Sequence, residues 1–314
     1  MMNRVALTTA IAAAMLAGSV QAATIYEDNG LKYELKGDLQ VQLRQKIGDN
    51  QDQDLEFDDL ELKNRVTYRL NDGMSAFAQL DYSFDKRAND QSSDSQDGGK
   101  LEEAYLGLSF NNIDLRVGKQ NYSTDEFSVE KAYETVVEDD IFDLHNDQGD
   151  DVIRVDAQFE NLFVSVSTDL KAEGNGDSDD TESTDLFVST ELGNLGLMAA
   201  YQTYQELGAD SVSAWGVGVT FDAGFAQFGA DYGSMEDTAD VYNLVASFPI
   251  AETTTVAVGV QNRDEDAGDD ITGWYANATY NFPEQKAVSV FGEIGDTDAD
   301  DTDPGYLVGM RIVF

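Results

Sequence analysis

Residues 31–46 read LKYELKGDLQVQLRQK, and this stretch decides the fold. Its odd positions are mostly apolar, whereas every even position carries lysine, glutamate, aspartate, glutamine or arginine. Successive side chains of a strand point to opposite faces, so the alternation predicts one long strand with an apolar face and a polar face. Strands of soluble proteins usually have about 5–6 residues. The greater length here favours a tilted strand that crosses a lipid bilayer.

The same alternation recurs along the rest of the chain. We expect about 16 strands in total, an even number of the kind that single-chain bacterial barrels have. The predicted fold class is therefore all-β, a 16-stranded antiparallel transmembrane β-barrel. The later strands are expected near 60–70, 76–84, 101–110, 113–120, 151–159, 161–169, 185–192, 195–204, 213–221, 224–232, 241–248, 254–263, 271–282, 286–294 and 305–314.

Short and long connections alternate between these strands. Asn71-Asp72-Gly73 and Pro283-Glu284-Gln285 are examples of the short ones, built from residues that favour tight turns. A meander with short turns at one end and long loops at the other predicts short periplasmic turns and long extracellular loops. The long connections are expected at 47–54, 85–100, 121–150, 170–183, 205–212, 233–240, 264–270 and 295–304.

Aromatic residues mark both ends of several predicted strands. Trp215 stands six residues before Phe221, and Trp274 stands eight before Phe282, in each case on the same face. Outer-membrane barrels carry such aromatic rows at the two edges of their apolar band. The spacing therefore supports a barrel over a soluble sandwich.

The first residues predict export. Met1-Met2-Asn3-Arg4 is a short basic segment, an apolar stretch follows to Val20, and Val20-Gln21-Ala22 offers small residues for cleavage. This layout is typical of a secretory signal peptide at 1–22, followed by a barrel domain at 23–314. The chain contains no cysteine, so we expect no disulfide bonds.

The charge of the chain is strongly negative. Lysine and arginine total 19 against 61 aspartates and glutamates, a formal net charge of −42. Such a charge repels nucleic acid, which excludes it as a partner, and attracts cations. Acidic outer segments such as 295–304 leave weak divalent cation binding open beside plain solvation, but no specific metal site and no cofactor are expected.

Several segments together carry a resemblance to a known family. They are ATIY at 23–26 followed by 31–43, LEEAYLGL at 101–108, LRVGKQ at 115–120, VIRVD at 152–156 and the final strand 306–314. With these segments in this order along the chain, the sequence resembles the general diffusion porins of Gram-negative bacteria, of the acidic marine type. The resemblance implies an outer-membrane homotrimer whose barrels pass ions and small hydrophilic solutes passively, without enzymatic activity.

The resemblance also implies that the third long loop folds into the channel. Here that loop is 121–150, which lacks the Pro-Glu-Phe-Gly-Gly turn common in enterobacterial relatives and contains no proline. Its candidate acidic constriction residues are Asp125, Glu126, Glu130, Glu134, Glu138, Asp139 and Asp140.

The polar phase of the strands predicts a basic wall opposite this acidic loop. Its candidate residues are Lys36, Arg44, Lys63, Arg65, Arg69, Arg116 and Arg154. Facing charges of opposite sign would set up a field across the channel, and charged side chains are how many pores select ions. The carboxylate excess favours a weakly cation-selective pore. The alternative is that arginines and glutamates pair only to hold the loop.

The last strand ends the chain on an aromatic residue and gathers its apolar side chains on one face. By resemblance this is the signal that the barrel-assembly machinery reads, and the outer face of the barrel would contact outer-membrane lipid and lipopolysaccharide. The residues of this face are Tyr306, Val308, Met310, Ile312 and Phe314.

Two other functions stay open at this point. An oligosaccharide-specific porin, for chito- or malto-oligosaccharides, would need a row of aromatic rings along the lumen. An outer-membrane hydrolase would need a nucleophile with a base, and the only histidine is His145 in the long loop. The lumen-phase aromatic candidates are Phe77, Tyr105, Phe163, Tyr204 and Tyr275.

Overall fold

A computed structural model describes residues 22–84, 99–134, 136–170, 181–206, 208–300 and 302–314. Except for Ala22, the predicted signal peptide lies outside the described residues. In the described part of the chain, no helix has the length and apolar character needed to cross a membrane. Seventeen strands are described: β1 Ala23–Asp28, β2 Leu31–Gln45, β3 Asp54–Asn71, β4 Met74–Ser83, β5 Lys100–Phe110, β6 Ile113–Asn121, β7 Gln148–Phe159, β8 Leu162–Asp169, β9 Glu182–Leu192, β10 Leu195–Gln205, β11 Val212–Asp222, β12 Gln227–Met235, β13 Ala239–Ala251, β14 Thr254–Glu265, β15 Ile271–Phe282, β16 Gln285–Thr297 and β17 Gly305–Val313.

The sheet closes into a cylinder of 16 strands, as the sequence predicted. Each strand from β2 to β17 pairs antiparallel with the next, and β17 pairs with β2 to close the ring. The short β1 pairs with the first part of β2 and so occupies the same edge as β17. Gly37 and Phe314 exchange two backbone hydrogen bonds of 2.8 and 3.0 Å at the junction. β1 and β17 thus share one strand position, an arrangement the alternation pattern did not reveal.

The apolar rows of the strands face outward. Leu106 is 69% exposed and Val308 is 62% exposed, whereas the polar Gln40 and Asp81 on the opposite phase are each 1% exposed. The predicted edge aromatics, including Trp215 and Phe282, also lie exposed on the outer face. The barrel is therefore inverted relative to a soluble protein, with an apolar outside suited to lipid.

One predicted long connection is wrong. The segment expected to be a loop at 233–240 is a tight turn, because β12 continues through Met235 and β13 begins at Ala239. Met235 and Ala239 are both buried inside the barrel. The turn itself is possible because Asp237 adopts a left-handed backbone with φ of 51°. The expected loops at 85–100 and 170–183 lie largely outside the described residues.

Candidate functional site in the barrel interior

The long segment 122–147, which we call the constriction loop, is folded into the barrel. It leaves and rejoins the wall at one place, where the Tyr122 amide donates to the Asp147 carbonyl at 2.6 Å. Two short 3-10 helices, Ser123–Glu126 and Phe142–Leu144, lie within it. Phe127 and Ile141 are at most 1% exposed and belong to one apolar cluster with side chains of the strands. The loop therefore supplies the buried core of the interior.

The loop divides the interior into two surfaces. The inward faces of β7–β16, against which the loop packs, are named the covered wall. The inward faces of β17 and β2–β6 are named the open wall. Across the interior, Glu134 of the loop contacts the open wall through a hydrogen bond with Gln42 and an ion pair with Arg44.

Glycines of the covered wall make room for the loop. A Cβ atom on Gly233 would lie 2.3 Å from Ile141, one on Gly216 would lie 2.6 Å from Phe127, and one on Gly273 would lie 2.5 Å from Val136. Such contacts are too close for any larger residue unless the loop moves. The loop is thus fitted to the wall by close approach of its apolar side chains.

Polar side chains of the covered wall hold the backbone of the loop. Asp231 accepts from the amide of Val129 at 3.1 Å, and Gln261 accepts from the amides at 136 and 137 at 3.0 and 2.9 Å. Glu293 accepts from the amides of Tyr133 and Glu134 at 2.7 and 3.1 Å. A buried amide without an acceptor costs about 1–3 kcal/mol. These side chains therefore fix the course of the loop between its two short 3-10 helices.

Arg44 is the point where the constriction loop meets the open wall. Its guanidinium lies 2.6 Å from the Glu134 carboxylate and 3.5 Å from Glu56 on β3. Gln42 donates a hydrogen bond to the same Glu134 carboxylate. The predicted pairing of basic wall and acidic loop is present here as a direct contact.

Arg154 was predicted to face the channel, but the structure places it elsewhere. It is 3% exposed and lies beneath the first turn of the loop, where it donates to the carbonyl of Tyr122 at 3.0 Å. It also pairs with Glu126 at 2.6 Å and with Asp156 at 2.9 Å. Arg116, its direct neighbour across β6 and β7, pairs with Asp156 at 2.5 Å. Arg154 therefore supports the loop instead of facing the solute path.

The other predicted basic residues lie on the inward phase of β2 and β3. Lys63 is held between Asp81 at 2.7 Å and Glu61 at 3.2 Å. Arg65 lies over the ring of Phe77. Arg69 is exposed near the end of β3, beside the short turn at Asn29–Gly30 and away from the loop. Lys36 is exposed on β2, directly opposite Lys63.

The predicted acidic residues separate into two groups. Glu126, Glu134 and Glu138 each pair with a wall arginine, the last with Arg263 at 3.1 Å. Asp125 is exposed, and the carbonyl of Asp139 accepts from Asn243. The prediction that Asp140 lines the channel is wrong. Asp140 is 4% exposed, and its carboxylate accepts a hydrogen bond of 2.7 Å from the amide of Phe142 within a turn.

Burial changes the charge that the loop carries. Glu130 accepts hydrogen bonds from the hydroxyl of Tyr275 and the amide of Ala132, and its other oxygen has no hydrogen-bond partner among the residues that the structure describes. Burial first, and the nearby Asp139 charge second, raise the pKa of Glu130 to about 7. Burial likewise raises the pKa of Asp140. The loop is therefore less negative at neutral pH than its composition indicates.

Comparison with known proteins decides the family. The model of the Gram-negative porin family matches residues 7–302. This chain belongs to the Gram-negative porin family. It is 27% identical to porin-like protein H of Photobacterium profundum over 98% of this chain and 99% of that one. It is 21% identical to a monosaccharide porin of a Halomonas species, with each chain covered in full.

A solved structure shows the same fold. The trimer form of OmpT, an outer membrane protein of Vibrio cholerae, matches with a TM-score of 0.74 at 16% identity, covering 91% of this chain and 100% of that one. Membership of the family places this porin in the outer membrane of a Gram-negative bacterium, as the sequence predicted. Solutes cross the membrane through it by passive diffusion. The short turns are then the periplasmic end of the barrel.

The sequence missed three groups of this porin's interior residues. Arg311 pairs with Asp38, and its phase between the outward Met310 and Ile312 would have revealed it. A bulge in β3 sets Asp58 and Asp59 opposite Gln40, so Asp58 contacts Gln40 while Asp59 lies 3.8 Å from Arg311. The covered-wall residues that bind the loop backbone, Asp231, Gln261 and Glu293, could not be identified from the sequence, because inward polar residues are expected in any water-filled barrel.

The lumen-phase aromatics of the porin offer few open ring faces. Phe77, Tyr105, Tyr204 and Tyr275 are each 2–5% exposed, and Phe163 is half-buried. His145 stacks on Tyr204 with ring centroids 4.5 Å apart. Over the described ranges, no group of three or more His, Asp or Glu side chains is placed to hold a metal ion.

The predicted assembly face of the last strand lies on the outside of the porin. Val308, Met310 and Ile312 are exposed there, whereas Phe314 packs over Gly37. Tyr306 stands at the extracellular end of β17 and lies near Gln53. Recognition by the assembly machinery stays a prediction.

Proposed function

We propose that this porin passes ions and small hydrophilic solutes with a weak preference for cations. The observation that carries the proposal is the constriction loop held inside the barrel with its row of carboxylates. Of its seven predicted acidic residues, Glu126, Glu134 and Glu138 pair with wall arginines. Burial raises the pKa values of Glu130 and Asp140, so of the seven residues Asp125 and Asp139 supply the excess negative charge beside the solute path, which attracts cations.

The open wall supports the same sign of selectivity. The β3 bulge adds Asp58 and Asp59 to Asp38 around the single guanidinium of Arg311. Bulges in sheets commonly redirect side chains near functional sites. A cation entering from the extracellular end therefore meets carboxylates on both surfaces.

The alternative of an oligosaccharide-specific channel gains no support. A sugar slide needs ring faces open to the lumen, and the candidate rings are buried or half-buried. The monosaccharide porin relative supports small sugars among the diffusing solutes. We propose no catalytic activity, since family membership supports a channel.

We further propose a homotrimer, which the trimeric Vibrio cholerae protein supports. Contacts with lipopolysaccharide and weak binding of divalent cations by the outer loops stay predictions.

The test is the reversal potential of the refolded porin in a planar bilayer with a KCl gradient. We expect a cation-preferring potential, and we expect Glu134→Gln and Glu138→Gln each to shift it toward anions, because each removes one negative charge from the loop and leaves its arginine with a single carboxylate partner. Glu284→Gln, in a periplasmic turn, is the charge-matched control and should leave the potential unchanged. An anion-preferring wild-type pore would contradict the proposal.

A further inference from the structure

Arg65 lies over an aromatic ring on the open wall. Its guanidinium carbon lies 4.1 Å from the centre of the Phe77 ring. Phe77 in turn lies across Gly107 of β5, where a Cβ atom would be 2.2 Å from the ring. Phe77 is 4% exposed, so the guanidinium covers the ring from the lumen side. A guanidinium stacked on an aromatic ring keeps its N–H donors free to bind other groups at its edge.

The hydrogen-bond partner of Arg65 is neutral. Arg65 donates to the amide oxygen of Gln79 at 3.3 Å, and Gln79 donates to Glu103 at 2.7 Å. Glu34 lies directly opposite Arg65 on β2, but its carboxylate is bound by Lys32. Among the residues the structure describes, Arg65 forms no ion pair. An amide therefore occupies the place that a carboxylate takes beside Arg44, Arg116 and Arg311.

A second cation lies close to Arg65. Lys36 is exposed directly opposite Lys63, and Lys63 stands two residues from Arg65 on the same face. Lys36 is therefore a diagonal neighbour of Arg65 across the β2–β3 pair, and diagonal neighbours lie about 7–8 Å apart, within reach of long side chains. Lys63 is occupied by Asp81 and Glu61, whereas Lys36 forms no ion pair within the described ranges. Two cations without carboxylate partners thus lie together in a chain with a net charge of −42.

Arg65 and Lys36, which we call the basic patch, lie nearer the periplasmic end of the barrel than the contact between the loop and the open wall. Arg65 is opposite Glu34, near the start of β2, whereas Arg44 and its Glu134 partner lie at the end of that strand. The start of β2 follows the Asn29–Gly30 turn at the periplasmic end. A solute therefore reaches the basic patch after it has passed the constriction.

We propose that Arg65 and Lys36 form a binding site for small solutes that carry a carboxylate or phosphate group. Both groups bind cationic donors through charge-assisted hydrogen bonds, and the fork of an arginine fits either one. The site gives anionic solutes a stable position in an otherwise repulsive lumen. This inference rests on the proposed function, since it requires a water-filled lumen.

The experiment measures block of the KCl current by potassium phosphate and, separately, by potassium succinate, added to the periplasmic side of the full-length porin in a bilayer. We expect saturable block by at least one of the two anions, and the more effective anion identifies the source of the charged group. Arg65→Gln should raise the half-blocking concentration about tenfold, and Lys36→Gln a few fold. Phe77→Leu keeps both charges and should raise it a few fold by removing the stack.

Lys286→Gln, at the periplasmic start of β16, is the matched control and should block like the wild type. If neither anion blocks saturably, or if Arg65→Gln and Lys286→Gln behave alike, the site does not exist. Phe77→Leu keeps the test decisive if Arg65→Gln fails to fold. The result is independent of ion preference: a cation-preferring pore without block refutes only the anion site, and an anion-preferring pore that is blocked refutes only the proposed selectivity.

Discussion

The covered wall and the open wall are built from strands with the same alternation, yet their inward residues differ. The covered wall has glycines such as Gly216 and Gly233 and apolar residues such as Val241 beneath the loop. The open wall has charged residues, among them Lys63 and Arg65. The loop excludes water from the first surface, so small and apolar residues are stable there. The second surface stays wet and can carry the charges that act on solutes.

The two walls also use their carboxylates differently. Glu293 on the covered wall accepts two backbone amides of the loop, whereas Glu103 on the open wall accepts from the Gln79 side chain. The first carboxylate fixes backbone, and the second adjusts a side chain. Residues of one type therefore serve structure on one side of the barrel and the solute path on the other.

The largest expected effect separates these two carboxylates. Glu293→Ala leaves the amides of Tyr133 and Glu134 without their acceptor, so the free energy of unfolding should fall by about 3 kcal/mol. Glu103→Ala is the matched variant on the open wall and should cost about 1 kcal/mol. Equilibrium unfolding in urea, in detergent micelles, measures both. Equal losses for the two variants would remove the distinction between the walls.

A glycine pair sharpens the comparison further. Gly233→Val places a side chain where Ile141 lies, so it should lower the free energy of unfolding by about 2 kcal/mol and make the single-channel current noisier. Gly292→Val is the control, because a Cβ there meets only ordinary contacts of 3.4 Å and more. A quiet, fully stable Gly233→Val porin would mean that the loop is not seated on this wall.

The smallest expected effect is one of pH. Burial raises the pKa of Glu130 from its usual value of 4.5 to about 7. The seated loop is therefore most stable below pH 4.5, where Glu130 is neutral, and it loses this stability as the pH rises through 7. Cation preference should correspondingly decrease as pH falls from about 8 to 6. Reversal potentials of the wild type and of Glu130→Gln measure this. The variant should lose part of the pH dependence, and an unchanged profile would contradict the assignment.

The sequence predicted the barrel well because lipid imposes a strict two-residue period on every spanning strand. Residues 31–46 form β2 almost as expected, and the polar phase correctly set Arg44 and Lys63 inside. The bulge at Asp58 and Asp59 escaped the pattern because it interrupts that period.

The path of the loop could not be predicted in the same way. Its position depends on contacts between residues far apart in the chain, such as Val129 with Asp231 and Val136 with Gln261. An inward Asp or Gln looks the same in the sequence whether it binds water or a loop amide. Arg154 was therefore expected to face the channel, although it lies under the loop.

The constriction loop shields one wall and leaves the other open to solutes. The chain has no cysteine, so single cysteines can report on each wall. Lys36→Cys on the open wall should react with a small cationic methanethiosulfonate in the folded porin and change the current in steps. Val241→Cys, at a position 1% exposed on the covered wall, should react only after unfolding. Rapid labelling of Val241→Cys in the folded porin, or protection of Lys36→Cys, would contradict the account.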